Sequence, residues 1–345
     1  MYSDSDIEGA VVAGAISPEA AAALRNHVAI NRQTPAVDEE SFRLLTGFND
    51  IFVSIAIALL LVAISQIGDT VSHTVGAAAV AGVSWGLAEY FTRARRMALP
   101  SILLLLAFVG GVAGTMVGAL VSLDPNLSEQ ANAMIGAGIG LVTAGAAWLH
   151  WRRFMVPITV AAGAVALVGT LVALVVAAVP ATKDAIYPIV LVAGVAVFAL
   201  AMWWDMSDVK RITRRSDVAF WLHLAAAPLI AHPVFHMLGV FDNDVGMTTA
   251  IIVLALYVAF GFIALAIDRR ALLVSSLVYV LYAMYAIIRS AGAVELSAAI
   301  TGLVIGSALL ILSAFWHHMR RLVIGSLGGV GRRLPPVGTM VPASA

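Results

Sequence analysis

Apolar residues run in long unbroken blocks along this chain, and polar residues gather in the short stretches between them. Ten blocks stand out, roughly at 50–68, 71–91, 99–122, 131–150, 157–180, 186–204, 218–239, 247–267, 271–289 and 296–316. About 20 apolar residues in helical form cross the hydrocarbon core of a bilayer. Strands of a membrane barrel would instead alternate every second residue over about 10 residues. The blocks here are continuous and rich in Ala and Leu. A backbone in lipid has to satisfy its own polar groups, so the pattern predicts an all-α fold: a polytopic transmembrane helix bundle of about ten spans. The connections at 69–70 and 269–270 are short enough to make their flanking helices antiparallel neighbours.

Composition points the same way. The chain is 61% hydrophobic and 12% charged, with a mean hydropathy of +0.97, where soluble domains carry about 25% charged residues. The net charge is zero, so no basic surface suggests nucleic acid as a partner. Cysteine is absent, which excludes thiol catalysis, disulfides and thiolate metal sites.

The charges set an orientation. Eighteen of the 20 Lys and Arg residues fall beside the same ends of the spans. Arg25, Arg32 and Arg43 precede span one, and Arg93, Arg95 and Arg96 follow span two. Arg152 and Arg153 follow span four; Lys210, Arg211, Arg214 and Arg215 follow span six; Arg269 and Arg270 follow span eight. Arg320, Arg321, Arg332 and Arg333 follow span ten. The other side carries Lys183 and Arg289, with the acidic residues Asp69, Asp124, Glu129, Asp184, Asp242, Asp244 and Glu295. Basic loops stay in the cytoplasm during insertion. The reading is a bacterial inner-membrane protein with both termini cytoplasmic and the first span as its insertion signal. All seven tryptophans lie toward the basic side, where indole favours the lipid–water interface. Trp85 is the deepest and is expected to pack between helices.

Three regions follow: a cytoplasmic helical segment at 1–48, the bundle at 49–322 and a tail at 323–345. In the first, residues 3–14 read as a helix ended by Gly14, and Ser17-Pro18-Glu19 opens a second helix over 18–30 with an N-cap, a first-turn proline and a dipole-matching acid. A third amphipathic piece runs from Asp38 to Leu45. This segment reads as an insertion aid lying on the bundle, or as a cap that binds a cytoplasmic partner. Residues 319–345 read as a basic interfacial segment followed by a loose tail.

The bundle shows signs of an internal duplication. Trp148-Leu149-His150-Trp151-Arg152-Arg153 and Trp316-His317-His318-Met319-Arg320-Arg321 share Trp-x-His-x-Arg-Arg at an offset of 168. Asp50 and Asp217 open spans one and seven at an offset of 167. Arg95-Arg96-Met97-Ala98-Leu99 is similar to Arg269-Arg270-Ala271-Leu272-Leu273 at an offset of 174. The expectation is a parallel 4+2+4 arrangement: one repeat at 49–155, a hairpin at 156–215 and a second repeat at 216–322. Ten spans with both termini inside resemble the drug/metabolite transporter superfamily, whose two five-span halves are inverted, unlike this pattern. The segment Ala13-Gly14-Ala15-Ile16-Ser17-Pro18-Glu19-Ala20-Ala21 resembles the start of an uncharacterised family of bacterial multi-pass membrane proteins with a short N-terminal helical region. That resemblance implies a many-helix bundle and no particular activity.

Small residues at fourfold spacing form smooth helix faces: Gly110, Gly114 and Gly118 in span three; Gly136, Gly140 and Ala144 in span four; Ala298, Gly302 and Gly306 in span ten. Such faces let helix backbones approach closely. The middle of every span lacks Asp, Glu, Lys and Arg, which argues against a carrier coupled through a buried carboxylate. Glu89 is explained by an i,i+4 ion pair with Arg93, and Asp50 and Asp217 by their places at helix starts.

Span seven is the polar exception, with His223, His232 and His236 beside Pro228 and Pro233. His232 and His236 share a face, and His223 lies on the opposite one. With Asp69 and His73 on the same side of the membrane, they are candidate ligands for Zn²⁺ or another divalent metal. Proton relay is the alternative, and hydrogen bonds to carbonyls freed by the prolines are the structural one. His223, Tyr257 and Tyr282 are candidate proton or cavity residues, and no second histidine matches the depth of His223. No Walker loop, His-Glu-x-x-His or Gly-x-Ser-x-Gly occurs, so an enzyme is not the leading expectation. The leading functional expectation is a permease-like protein moving a small solute through a cavity between the repeats. The alternative is a membrane sensor or scaffold whose N-terminal helices bind a cytoplasmic partner.

Overall fold

The structure, a computed structural model, describes residues 4–24, 48–123, 127–179, 185–209, 211, 213–240, 247–290, 297–331 and 333–335. All regular elements among the described residues are helices. A short helix, Asp4–Val12, ends at Gly14, which takes φ +70°. Residues 18–24 form the expected second helix, with the Ser17 hydroxyl accepting from the Ala20 N–H at 3.1 Å. The third N-terminal piece, and Lys183, Asp124, Asp184, Asp242, Asp244 and Glu295 on the other side, lie outside the described residues.

Ten helices occupy the ten apolar blocks. They are α1 Phe48–Asp69, α2 His73–Ala88, α3 Ala98–Leu123, α4 Glu129–Phe154, α5 Ile158–Ala178, α6 Ile186–Met206, α7 Arg214–Met237, α8 Met247–Ile267, α9 Ala271–Ser290 and α10 Ser297–Ala314. An eleventh, α11, spans Trp316–Ser326. Seven of them are long and apolar enough to cross a membrane, namely α1 and α3 to α8; α10 with α11 makes an eighth crossing if that pair, bent by 76°, is one span. α2 is shorter because its last turn widens into a π-helix, Glu89–Ala94. The apolar part of α9 is Ala271–Tyr285. The chain therefore has the helices of an integral membrane protein.

The helix starts follow their sequence. Ser72 accepts from the Val75 N–H and Ser128 from the Ala131 N–H, both at 3.2 Å. Each serine satisfies one of the amides that a first turn leaves without a carbonyl. The basic ends have a device of their own. A non-glycine residue with positive φ follows each even-numbered helix from α2 to α8: Arg96 at 53°, Met155 at 55°, Arg211 at 52° and Asp268 at 58°. This left-handed conformation costs a side-chain-bearing residue about 1–2 kcal/mol. It lets the chain turn back on the last carbonyls. The Met155 N–H bonds the Trp151 C=O at 2.9 Å, and the Arg269 N–H bonds the Ala264 C=O at 2.9 Å.

The helices pack in sequence-adjacent pairs, α2 on α3, α4 on α5, α6 on α7 and α8 on α9, with α7 also against α5 and α9. Three glycines set close approaches, two in the α2–α3 pair and one in the α6–α7 pair. A Cβ on Gly111 would come 2.8 Å from the Ala81 amide, and one on Gly118 2.9 Å from the Thr74 amide. A Cβ on Gly194 would lie 2.8 Å from the Leu229 carbonyl, so α6 and α7 approach backbone to backbone at this point. The working face of α3 is thus Gly111, Gly114 and Gly118, and Gly110, expected on it, faces open space. Gly140 packs on α5, while a Cβ on Gly302 or Gly306 of α10 would meet nothing within 4 Å among the described residues. Trp85 is between helices as expected, 5.0 Å from both Phe108 and Phe154.

The two candidate repeats share one feature and differ in another. α3 packs on α1, α2 and α4, and α9 packs on α7, α8 and α10. The Trp-x-His-x-Arg-Arg landmarks, however, have different surroundings. Trp148 lies exposed under Arg152 near the end of the unbroken α4, whereas Trp316 is buried at the start of a separate helix. His150 is buried and His318 exposed.

Replacing Gly194 with Val forces a side chain into the α6–α7 contact and is expected to destabilise the protein by about 1–3 kcal/mol. Gly302→Val, on an open face, is expected to leave stability unchanged. Thermal unfolding of both variants in one detergent compares them directly.

Candidate functional site

Four charged side chains from three places in the sequence are 0–3% exposed and meet at the basic end of α6, α7 and α8. Asp205, in the last turn of α6, takes a two-pronged bond from Arg269, with Nη2 to Oδ1 at 2.7 Å and Nε to Oδ2 at 3.1 Å. Its Oδ2 also lies 3.6 Å from Arg211 Nη2 and 3.3 Å from His223 Nε2. Arg211, in the α6–α7 connection, donates Nη1 to Asp268 Oδ2 at 3.2 Å and Nη2 to the Ile267 C=O at 2.9 Å. Asp268, in the turn after α8, accepts from the Trp316 indole at 2.7 Å on Oδ1. Arg320 Nε is 3.6 Å from the same oxygen.

Local structure aims these groups. The left-handed residues Arg211 and Asp268 are themselves members of the network, so the bonds they make hold the strained backbone in place. Asp208 braces the Arg211 loop by accepting from both the amide and the hydroxyl of Thr213, at 2.8 and 2.7 Å. Arg269 also reaches the Ser216 C=O at 3.2 Å in the first turn of α7. The Pro335 C=O accepts from Arg211 at 3.5 Å and Arg320 at 3.3 Å, which ties the tail to the cluster. Burial, and then the neighbouring Arg269 charge, push the Arg211 guanidinium down to about 10. It stays a cation at neutral pH, inside the protein.

The first half of the chain has a smaller counterpart. Glu89, on the π-helix, takes a two-pronged bond from Arg153 at 2.7 and 2.8 Å, besides the expected i,i+4 contact with Arg93 at 3.3 Å. His150 is enclosed by Trp85, Phe108 and Phe154, and its Nδ1 is 3.3 Å from the Thr159 hydroxyl. A cleft of about 440 Å³ opens nearby between the ends of α1 and α2, lined by Asp50, Tyr90, Phe91 and Arg95 among others. Its lining comes from α1 and the segment after α2 alone.

The residues singled out in the sequence do not converge on one place. His223 joins the network through Asp205, a carboxylate rather than a second histidine. His232 and His236 stay together at the opposite end of α7, with ring centroids 6.2 Å apart. Each has a tyrosine: His232 Nδ1 is 2.8 Å from Tyr279 Oη, and His236 stacks on Tyr187 at 3.6 Å. Asp69 and His73 pair with each other at 3.4 Å. Among the described residues, no three His, Cys, Asp or Glu side chains converge in a metal-binding group. The Tyr257 hydroxyl is enclosed beside the α8–α9–Trp316 core and has no hydrogen-bond partner among the described residues. Tyr282 is exposed.

Asp205 and Asp268 have no candidate role in the sequence, and Arg211 and Arg269 read there only as basic residues that mark one membrane side; all four are buried. The available signal was a carboxylate beside the arginines: Asp268 touches Arg269-Arg270, and Asp205 sits five residues before Lys210-Arg211. No protein-family model, curated protein or solved structure matches the chain.

Removing one partner from a buried ion pair leaves the other charge uncompensated, at a cost of about 3–5 kcal/mol. Asp205→Ala and Arg269→Met are each expected to lose stability on that scale. The double variant Asp205→Leu/Arg269→Met is expected to lose less than the two singles combined. Reversible unfolding of the three variants in mixed micelles checks this.

Proposed function

We propose that the chain is a permease-like protein of a bacterial inner membrane, with the Asp205–Arg269–Arg211–Asp268 network as the latch that closes its cytoplasmic side. One observation carries this reading: the network ties together the basic ends of α6, α7 and α8 and the start of α11. A buried ion network is poor as glue, because well-packed apolar side chains stabilise as much or more. It suits a contact that forms and breaks between rigid elements. α7 passes from the latch to the His232–His236 end and carries Pro228 and Pro233 between the two. Prolines weaken a helix's own hydrogen bonding at those points and favour bending there.

The cytoplasmic orientation is part of the proposal and rests on the arginine distribution. The structure brings the ends bearing Arg153 and Glu89 together in one group, and those bearing Arg211, Arg269 and Arg320 in another. A sensor or scaffold reading draws on a separate observation. The N-terminal helices bury Ala21 but expose Val12 and Leu24, apolar residues that a cytoplasmic partner would cover.

The natural absence of cysteine makes the latch testable by labelling. Ser216→Cys, placed inside the network, is expected to resist a water-soluble maleimide in otherwise unaltered protein and to react at least tenfold faster when Arg269→Gln is added. Proteoliposomes challenged with a panel of small neutral and charged solutes are expected to show flux that the same substitution changes. Equal labelling with and without Arg269→Gln, together with no flux for any solute, would overturn the permease reading. Loss of partner capture on removing residues 1–24 would then favour the scaffold.

A further inference from the structure

α11 has three faces rather than two. Trp316, Arg320, Val323 and Ile324 turn inward, with Trp316 buried and the others partly so. Phe315, Met319 and Leu322 recur at i, i+4 and i+7 along a second face and are 53%, 39% and 66% exposed. His317, His318 and Arg321 make a third face, exposed and cationic or titratable, on which Arg321 Nη2 lies 2.9 Å from His318 Nδ1. The angular order follows from 100° per residue: inward stripe, basic stripe, apolar stripe.

The position of α11 gives this pattern a meaning. The bend of 76° separates it from α10. Membrane spans tilt by about 20°, so a spanning α10 sets α11 close to the plane of the membrane surface. Leu310 and Ile311 at the end of α10 are exposed and apolar, and Phe315 continues that belt onto α11. A helix lying in the interface with an apolar stripe toward the acyl chains and a basic stripe toward the headgroups binds anionic lipid.

We propose that α11 is a surface helix that seats on anionic phospholipid headgroups through His317, His318 and Arg321, and that this seating holds Trp316 on Asp268 in the ion network. Charge complementarity selects the occupant: the exposed stripe carries basic groups, and the neighbouring apolar stripe needs acyl chains rather than water. The route inward is short, because Trp316 Nε1 and Arg320 Nε both face Asp268 Oδ1, at 2.7 and 3.6 Å. The inference depends on membrane embedding and not on transport, so it stands or falls independently of the permease reading.

The test uses the full chain in nanodiscs of phosphatidylcholine with a rising fraction of phosphatidylglycerol. An environment-sensitive dye on Leu322→Cys is expected to report an apolar setting, while the same dye on Gly325→Cys reports water. The thermal midpoint of the unaltered protein is expected to rise with phosphatidylglycerol. In Arg321→Gln, the fraction giving half of that rise is expected to shift upward by about fivefold, the factor for one cation near an anionic leaflet. Trp316→Phe keeps the ring and removes the indole donor. It is expected to keep the dye signal at position 322 and lose the rise in midpoint. A dye at 322 that reads water, or identical phosphatidylglycerol titrations for Arg321→Gln and the unaltered protein, would overturn the lipid assignment. A full midpoint response in Trp316→Phe would overturn the coupling to the network.

Discussion

The carboxylate of Asp205 has almost no water to solvate it, and two guanidiniums and an imidazole converge on it instead. Much of the basic end of the second half follows from that convergence. To reach Asp205, Arg269 has to lie in the turn after α8, which fixes how α8 meets α9. To share it, Arg211 has to turn inward from the α6–α7 connection, and its remaining donors then need acceptors. Those acceptors are the Asp268 carboxylate and the last carbonyls of α8. Asp268 in turn leaves one oxygen for the indole of Trp316. Each charge placed in the interior requires the next, because an unmatched one costs several kcal/mol.

The same logic explains why strained backbone persists at these turns. Arg211 and Asp268 hold left-handed conformations that glycine would adopt without cost. Glycine at either position would relieve the strain and delete a member of the network. Arg96 and Met155, at the corresponding turns of the first half, take the same conformation outside any buried ion network. The turn geometry is therefore shared by the even-numbered helices from α2 to α8, and the second half has placed charge chemistry on it.

The helical membrane class was legible because ten long apolar blocks leave no other way to satisfy a backbone in lipid. The positions of all ten helices follow from those blocks. Less legible were the lengths and bends. The π-turn at Glu89–Ala94 and the break at Phe315 arise where polar residues resume, and hydropathy does not distinguish a helix that ends from one that turns. Gly111 rather than Gly110 faces α2, a difference of one residue that depends on the rotation of α3 and so on its partners. Among the site residues, the i,i+4 pairs Asp69–His73 and Glu89–Arg93 could be read from spacing alone. The Asp205–Arg269 pair, 64 residues apart, could not. Its arginines carry an orientation signal that the sequence already explains, and this masked their second use.

The two ends of α7 illustrate how one helix accommodates opposite chemistries. Near its start, His223 faces a carboxylate that two arginines already engage. Toward its far end, His232 lies against Tyr279 and His236 against Tyr187, aromatic partners that offer a hydroxyl or a ring face. A rearrangement at the charged end must break strong, directional contacts between different helices, and one at the tyrosine end exchanges weaker ones. Pro228 and Pro233 fall between His223 and His236, where the helix is least able to transmit a rigid rotation. Motion at the charged end is therefore expected to bend α7 rather than turn it as one body. Such bending would move the outer histidines against Tyr187 and Tyr279 and would pivot beside the tight α6–α7 contact at Gly194, because its partner Leu229 directly follows Pro228.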